Sequence, residues 1–373
     1  MNRGMAKRIL LGCGDVPGWG GASTIAYDLF ECLRCDGFNV AFVNLVHASD
    51  EPRIRAAFGA EIGNPRRLNS VHTLSLSDPE WRSQPALVEL IERLQPDWLF
   101  GFGFVGAWQL SRAAPHLPLL FRTSGSSQIG RLLREGMIAD FIGFKEQIRR
   151  GVRFPMRTID PERDVTQHAR LIFVHSPLVR FAFEVFFPAH VGKLYERDIS
   201  IADLKLAEAG PYQGLRRPFD ERDIDVLFVA NDWSRLVKNL PLTLHLVRRL
   251  QHLRVHLVGA IDDHDIPAVC HGLMPRRHDL YALYGRSRVL VCPSLQDAAP
   301  GVLFEAAAMG CNIVTSANCG NWQLCHPELL AESCRERPFL EAIRRGLAKP
   351  YPTDPTDYLG GYAELVETLR VLI

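Results

Sequence analysis

Asp297 and Glu305 stand with seven residues between them in the segment Ser294-Leu-Gln-Asp297-Ala-Ala-Pro300-Gly301-Val302-Leu-Phe-Glu305-Ala-Ala-Ala-Met-Gly310. An apolar run, Arg288-Val-Leu-Val-Cys-Pro293, precedes the segment, and another, Asn312-Ile-Val-Thr-Ser316, follows it. Both runs read as buried strands, so the segment between them is a loop and then a helix whose first turn holds Pro300 and Gly301. Proline suits a first turn because its missing N–H has no helical partner there. Free amides around Pro300, Gly301 and Val302, together with the helix dipole, attract phosphate. The two acids flank that anion site. Carboxylates accept hydrogen bonds from paired hydroxyls, and phosphate donors set between diol acceptors describe a sugar nucleotide. The helix is otherwise apolar and small from Val302 to Met309, so Glu305, its one charge, needs a partner.

A second group, Asn231-Asp-Trp-Ser-Arg235-Leu-Val-Lys238-Asn239, follows the first strand of the second half. Arg235 and Lys238 fall where a strand end meets a helix start. Cations there oppose the helix dipole, so an anionic ligand is their natural partner. Fixed cations also stabilise the charge left on a departing diphosphate. The glycine-rich turn Gly18-Trp-Gly20-Gly21-Ala-Ser23-Thr24 allows close backbone approach to a ligand. Its spacing is not that of GxGxxG and no P-loop lysine follows, which disfavours dinucleotide binding. It reads as a contact with phosphate or acceptor across a cleft. The turn at His271-Gly272 can bracket a flat base with its amides, or be a plain turn. Asp263-x-Asp265 has the form of a divalent-metal pair, but acids opening a surface helix are commoner, and no metal is expected. Arg131, Arg134, Lys145, Arg149, Arg150, Arg153 and Arg157 interleave with apolar residues. That pattern suits an anionic membrane face or an acidic acceptor, or else a solvated helical face. The lone pair Cys32 and Cys35 reads as packing.

These groups need a scaffold that brings loops together. At 373 residues the chain is long enough for two cores. Lysine and arginine number 43 against 42 acids, which gives no global case for nucleic acid. No apolar stretch reaches the roughly 18 residues of a membrane span. Nine irregularly spaced cysteines fit reduced thiols in the cytoplasm. Strands at 7–13, 39–46, 97–102, 117–122 and 169–175 alternate with helices at 23–35, 85–94 and 177–187. A mixed polar stretch at 188–222 reads as the linker. The rhythm restarts with strands at 223–229, 254–258, 289–292 and 312–316, and helices at 239–251, 280–285, 339–347 and 362–372. Such alternation predicts α/β architecture with parallel sheets, whose ligands bind outside the strand ends.

With these pieces in order, the chain resembles the family-4 glycosyltransferases of the GT-B fold, most clearly from about Asp223 to Asn321. The resemblance implies two Rossmann-like, doubly wound domains facing a central cleft. It divides the chain into an acceptor-binding domain at 1–205, a nucleotide-sugar domain at 206–352, and a C-terminal helix at 353–373 crossing back to the first domain. It gives Glu305 the ribose hydroxyls, Asp297 the donor sugar, and Arg235 and Lys238 the diphosphate. Gly20 and Gly21 match the family's glycine loop, and His175-Ser176 its closing N-terminal segment. Asp297 is one methylene shorter than the usual Glu. Where the family often has an acceptor-side His, this strand end reads Arg122-Thr123-Ser124, so a hydroxyl or backbone contact replaces it or the acceptor geometry differs. The implied activity is metal-independent, cofactor-free, retaining transfer of a sugar from a nucleoside-diphosphate sugar to a glycan, lipid-linked or small-molecule acceptor. Its setting is the cytoplasm, with peripheral membrane contact as a variant. A sugar-nucleotide 2-epimerase and a catalytically silent nucleotide-sugar-binding protein are the alternatives.

Overall fold

The computed structural model describes residues 7–14, 21–47, 71–76, 85–156, 161–196, 201–261, 265–274, 276–351 and 353–372. The first sheet has seven strands: β1 (Arg8–Cys13), β2 (Asn39–His47), β3 (Val71–Leu76), β4 (Trp98–Phe102), β5 (Leu119–Arg122), β6 (Ala169–Val174) and β7 (Leu194–Glu196). Their order is β3-β2-β1-β4-β5-β6-β7, and every pairing is parallel. The second sheet has six: β8 (Ile224–Asp232), β9 (Val255–Ala260), β10 (Val269–Cys270), β11 (Ser287–Cys292), β12 (Asn312–Ser316) and β13 (Leu330–Ala331). Their order is β10-β9-β8-β11-β12-β13, again all parallel. Strand order reverses beside β1 in one sheet and beside β8 in the other. These switch points open a crevice at the strands' carboxyl ends.

Helices cover both faces, which is why the strands are apolar throughout. In the first unit they are α1 (Gly21–Cys35), α2 (Pro85–Leu94), α3 (Gly103–Ala113), α4 (Ser127–Arg134), α5 (Phe141–Arg149), α6 (Pro161–His168) and α7 (Pro177–Phe186). Then come α8 (Ile201–Ala209), α9 (Leu240–Arg249), α10 (Arg277–Arg286), α11 (Gly301–Ala308), α12 (Glu336–Ala348) and α13 (Gly361–Leu372). One buried apolar cluster runs from Leu29 and Phe30 of α1 through Ala202 and Ala209 of α8 to Leu303 and Phe304 of α11. It also takes in Leu365 and Leu369 of α13. This last helix touches the first unit again: the Tyr362 hydroxyl donates to Asp36 Oδ2 at 2.5 Å, and the Thr368 hydroxyl to the Tyr195 hydroxyl at 3.1 Å.

Several elements differ from the sequence reading. β3, α3, α6 and β13 carry no strong periodicity and lie outside the elements the sequence predicts. Residues 201–209, part of the predicted linker, form α8, a run rich in Ala and Leu. Strand β8 extends to Asp232 because a bulge between Val229 and Asp232 restores its pairing with Ala260. Pro300 precedes the first helical residue of α11 rather than lying within its first turn. The basic residues at 131–157 do not share one face. Arg131 is buried against Glu135 and the Pro155 carbonyl, while Arg149 and Arg150 are exposed. Arg157 lies outside the described residues.

Glycine is required where β8 and β9 lie side by side near the crevice. Gly259 has φ +127°, and a Cβ there would fall 1.8 Å from the Ala230 carbonyl oxygen. Gly259→Ala is expected to cost about 3 kcal/mol or more, from strain and displaced backbone together. Urea denaturation followed by circular dichroism measures it.

Candidate functional site

Two loops of the second unit meet at the crevice. After β8, the turn Leu236–Lys238 leads to Asn239, which is left-handed at φ 58°. The Asn239 side-chain amide donates to the Pro293 carbonyl at 2.9 Å, and the Leu295 N–H donates to the Val237 carbonyl at 2.9 Å. These bonds tie the β8 loop to the β11 loop. They set Lys238 Nζ 2.5 Å from Asp297 Oδ2, with side-chain exposures of only 18% and 16%. Burial opposes charge on Lys238, but the adjacent Asp297 carboxylate outweighs it and holds the ammonium above its ordinary range. Asp297 is itself fixed through its backbone: its N–H donates to Asn318 and its carbonyl accepts from Gly320, at 2.9 and 2.8 Å.

Glu305 lies just over a turn into α11 and is 3% exposed. Its Oε1 is 2.7 Å from Lys205 Nζ, and its Oε2 accepts from the Tyr284 hydroxyl at 2.8 Å. Lys205 comes from α8, which packs along α11. It also pairs with Glu208 at 2.9 Å, and Arg277 reaches Glu208 at 2.6 Å and Glu305 at 3.9 Å. Burial pushes the Glu305 carboxyl up, but Lys205 and Arg277 overcome this and hold it below its ordinary value. The same burial pushes the Tyr284 phenol well up. Asp28 of α1 faces this cluster, and burial raises its carboxyl. Glu305 is thus a charged acceptor whose two oxygens both have protein partners. Lys205 and Arg277 join the site only through the tertiary fold. The sequence signal for Lys205 is the helix-forming composition of 201–209; Arg277 precedes the helix that the sequence predicts at 280–285 and carries no signal of its own.

Gly301 is the first residue of α11 and Val302 the second, beside Pro300, whose carbonyl accepts from the Asn321 side-chain amide at 3.2 Å. Arg235 is exposed on the turn before Lys238. Gly272, at φ +63°, follows β10, and its carbonyl accepts from the Gly259 N–H at 2.8 Å. Arg122 is 1% exposed and lies over the Phe102 ring, while Thr123 is buried beside His175. Of the three acceptor-side candidates, Ser124 alone is exposed. Gly21 opens α1; Gly18, Gly20 and Asp263 lie outside the described residues. Among the described residues no group of three or more His, Cys, Asp or Glu is placed to hold a metal ion.

The first unit closes directly on these loops. The N–H groups of Phe141 and Ile142, at the start of α5, donate to the Leu295 carbonyl and the Asn318 side chain at 3.0 and 2.7 Å. Helix α4 packs on the turn that carries Lys238. Its start is held by the buried Glu162, which accepts from the Ser127 N–H and hydroxyl. A cavity of about 410 Å³ opens beside the contact, lined by Phe141, Ile142, Lys145, Pro177, Gly320 and Trp322 among others. The crevice therefore offers a half-buried cation–carboxylate pair, a helix start and a buried carboxylate within one wall.

Residues 223–349 match the family model of glycosyl transferases group 1. No curated protein matches the chain. In structure the whole chain is similar to sucrose-phosphate synthase from Thermosynechococcus elongatus, with TM-score 0.60, 18% identity, and coverage of 97% of this chain and 94% of that one. It is similar to Anabaena HepE in complex with UDP and glucose, with TM-score 0.61, 12% identity, and coverage of 97% and 99%. It is similar too to the lipopolysaccharide outer core galactosyltransferase WaaB, with TM-score 0.60, 10% identity, and coverage of 98% and 100%. The two facing, doubly wound parallel sheets are the GT-B fold.

His175, next to β6 and 6% exposed, gives a pH test of this wall. Burial, reinforced by Arg122, holds its imidazole well below the ordinary value of 6.5. It is neutral when folded and free to charge when unfolded. Its contribution is complete above pH 6.5 and is lost as pH falls from there toward the folded value. Stability should drop by up to about 1.4 kcal/mol per pH unit in that window. Urea midpoints between pH 7.5 and 5 should show the slope, and His175→Gln should flatten it.

Proposed function

We propose that this chain is a glycosyltransferase that moves a sugar from a nucleoside-diphosphate sugar to an acceptor hydroxyl. The observation that carries the reading is the half-buried Lys238–Asp297 pair beside the start of α11, inside the segment that matches the glycosyltransferase model. In this reading the amides of Gly301 and Val302 and the Lys238 ammonium hold the donor diphosphate. Asp297 orients Lys238 and meets hydroxyls of the donor sugar, and Glu305 takes the ribose hydroxyls. Gly272 stands beside the base, Arg235 at the diphosphate's open side, and Ser124 on the acceptor side. Among the structures this chain is similar to, HepE is in complex with UDP and glucose and the catalytic domain of starch synthase IV from Arabidopsis thaliana is bound to ADP and acarbose, which suggests the donor class by analogy.

The reaction is front-face displacement with retention, without metal or cofactor. The acceptor oxygen bonds to the anomeric carbon as the carbon–oxygen bond to the diphosphate breaks. That bond's electron pair leaves on the diphosphate, whose oxygen takes the acceptor proton. Lys238 stabilises the developing charge in a water-poor crevice. The transferred sugar is a hexose. All nine cysteines stand as free thiols, which fits a cytoplasmic setting, and the exposed Arg149 and Arg150 of α5 supply any peripheral membrane contact.

Lys238→Met should lower turnover about 10²–10³-fold, the usual loss for one charge-stabilising group. Glu305→Ala should weaken donor binding about tenfold to hundredfold, as for lost hydrogen bonds to a charged acceptor. The assay is release of nucleoside diphosphate from a donor panel, with and without acceptor sugars, after melting curves confirm folding. Release that depends on acceptor supports transfer; binding without release identifies a silent binder. Turnover should also survive EDTA, and loss restored by manganese would sink the metal-free mechanism.

A further inference from the structure

The cluster around Glu305 does more than satisfy a buried carboxylate. Lys205 is 6% exposed, and its stem crosses the first residue of α11. A Cβ added to Gly301 would lie 3.0 Å from Lys205 Cε. The ammonium then reaches Glu305 Oε1 at 2.7 Å, so one side chain spans both the helix start and the carboxylate. The other oxygen, Oε2, is taken by Tyr284, and Arg277 stands 3.9 Å from Oε1. With Oε2 held by Tyr284, a diol that reaches Oε1 has to share it with Lys205 or displace it.

We infer that Lys205 competes with the donor for Glu305 and so sets the affinity of the nucleotide site. The inference rests on the reading of Glu305 as the hydroxyl acceptor. Exchange is feasible because Lys205 has a second carboxylate within reach. Glu208, one turn along α8, is already 2.9 Å from Nζ and is itself held by Arg277 at 2.6 Å. When hydroxyls replace the ammonium on Glu305, Lys205 keeps an ion pair and no buried charge is stranded. Lys205 is therefore a positioning residue. It holds Glu305 ordered while the site is empty, at the expense of the fraction of molecules ready to bind.

Isothermal titration of the full chain with UDP, ADP and GDP tests this. If about one molecule in ten has Glu305 free, Lys205→Met should bind its preferred nucleoside diphosphate about tenfold more tightly than wild type. Lys205→Arg, which keeps the competing charge, should bind like wild type. Glu208→Gln removes the fallback partner and should bind more weakly. Lys205→Met combined with Glu305→Ala should lose the gain, showing that it acts through Glu305. Equal or weaker binding by Lys205→Met overturns the inference, and weaker binding makes Lys205 a donor ligand instead. If Lys205→Met does not fold, the decision passes to Glu208→Gln, for which unchanged or tighter binding overturns the inference. Glu305→Ala alone separates the two ideas. Wild-type affinity in that variant removes the reading of Glu305 on which the inference stands. Weak binding by Glu305→Ala without a gain in Lys205→Met removes only the competition. Failure of both wild type and Lys205→Met to bind any of the three nucleotides removes both.

Discussion

In an all-parallel sheet every strand leaves by the same edge, so loops, helix starts and their unpaired amides collect there. Both sheets of this chain are parallel, and their carboxyl edges face one another. The arrangement concentrates polar groups from distant parts of the sequence in one crevice. Lys238 follows β8, Asp297 follows β11, and Asn318 follows β12, yet they form one bonded wall. From the first unit, the start of α5 completes that wall through the Leu295 carbonyl and the Asn318 side chain.

Burial then decides how the charges behave. Glu305 and Lys238 each sit where desolvation opposes ionisation, and each stays charged because an opposite charge is within bonding distance. Such pairs contribute little net stability, since the cost of removing both ions from water nearly offsets their attraction. Their value is in fixing geometry. Lys205 adds a further element, because it belongs to the helix that joins the two units and touches the carboxylate deepest in the second. The state of that carboxylate is thus coupled to the segment connecting the domains.

Local residue patterns encode much of this fold. The long strands and most helices carry apolar runs of the right period, so β1, β2, β8, β11 and β12 and α1, α7, α12 and α13 lie close to where periodicity places them. The segment from Asp297 to Glu305 was legible for the same reason: a loop, a proline and one charge on an apolar helix are all local features. The missed elements are short or weakly patterned. β3 and β13 are held by neighbours rather than by their own pattern, and α8 appears only as helix-forming composition within a polar stretch.

The spacing of Asp297 and Glu305, and the cations beside a strand end, are determined by the sequence alone because each lies within one turn-and-helix unit. Partnership is different. That Lys238 meets Asp297 while Arg235 remains exposed depends on hydrogen bonds between two loops far apart in the chain. That Arg122 points into the sheet, over Phe102, depends on the packing of β4 against β5. That Glu305 is already engaged depends on a helix about a hundred residues earlier folding onto α11. Tertiary structure decided these points because an ion pair's partner is set by distance in space, which no local pattern of residue types encodes.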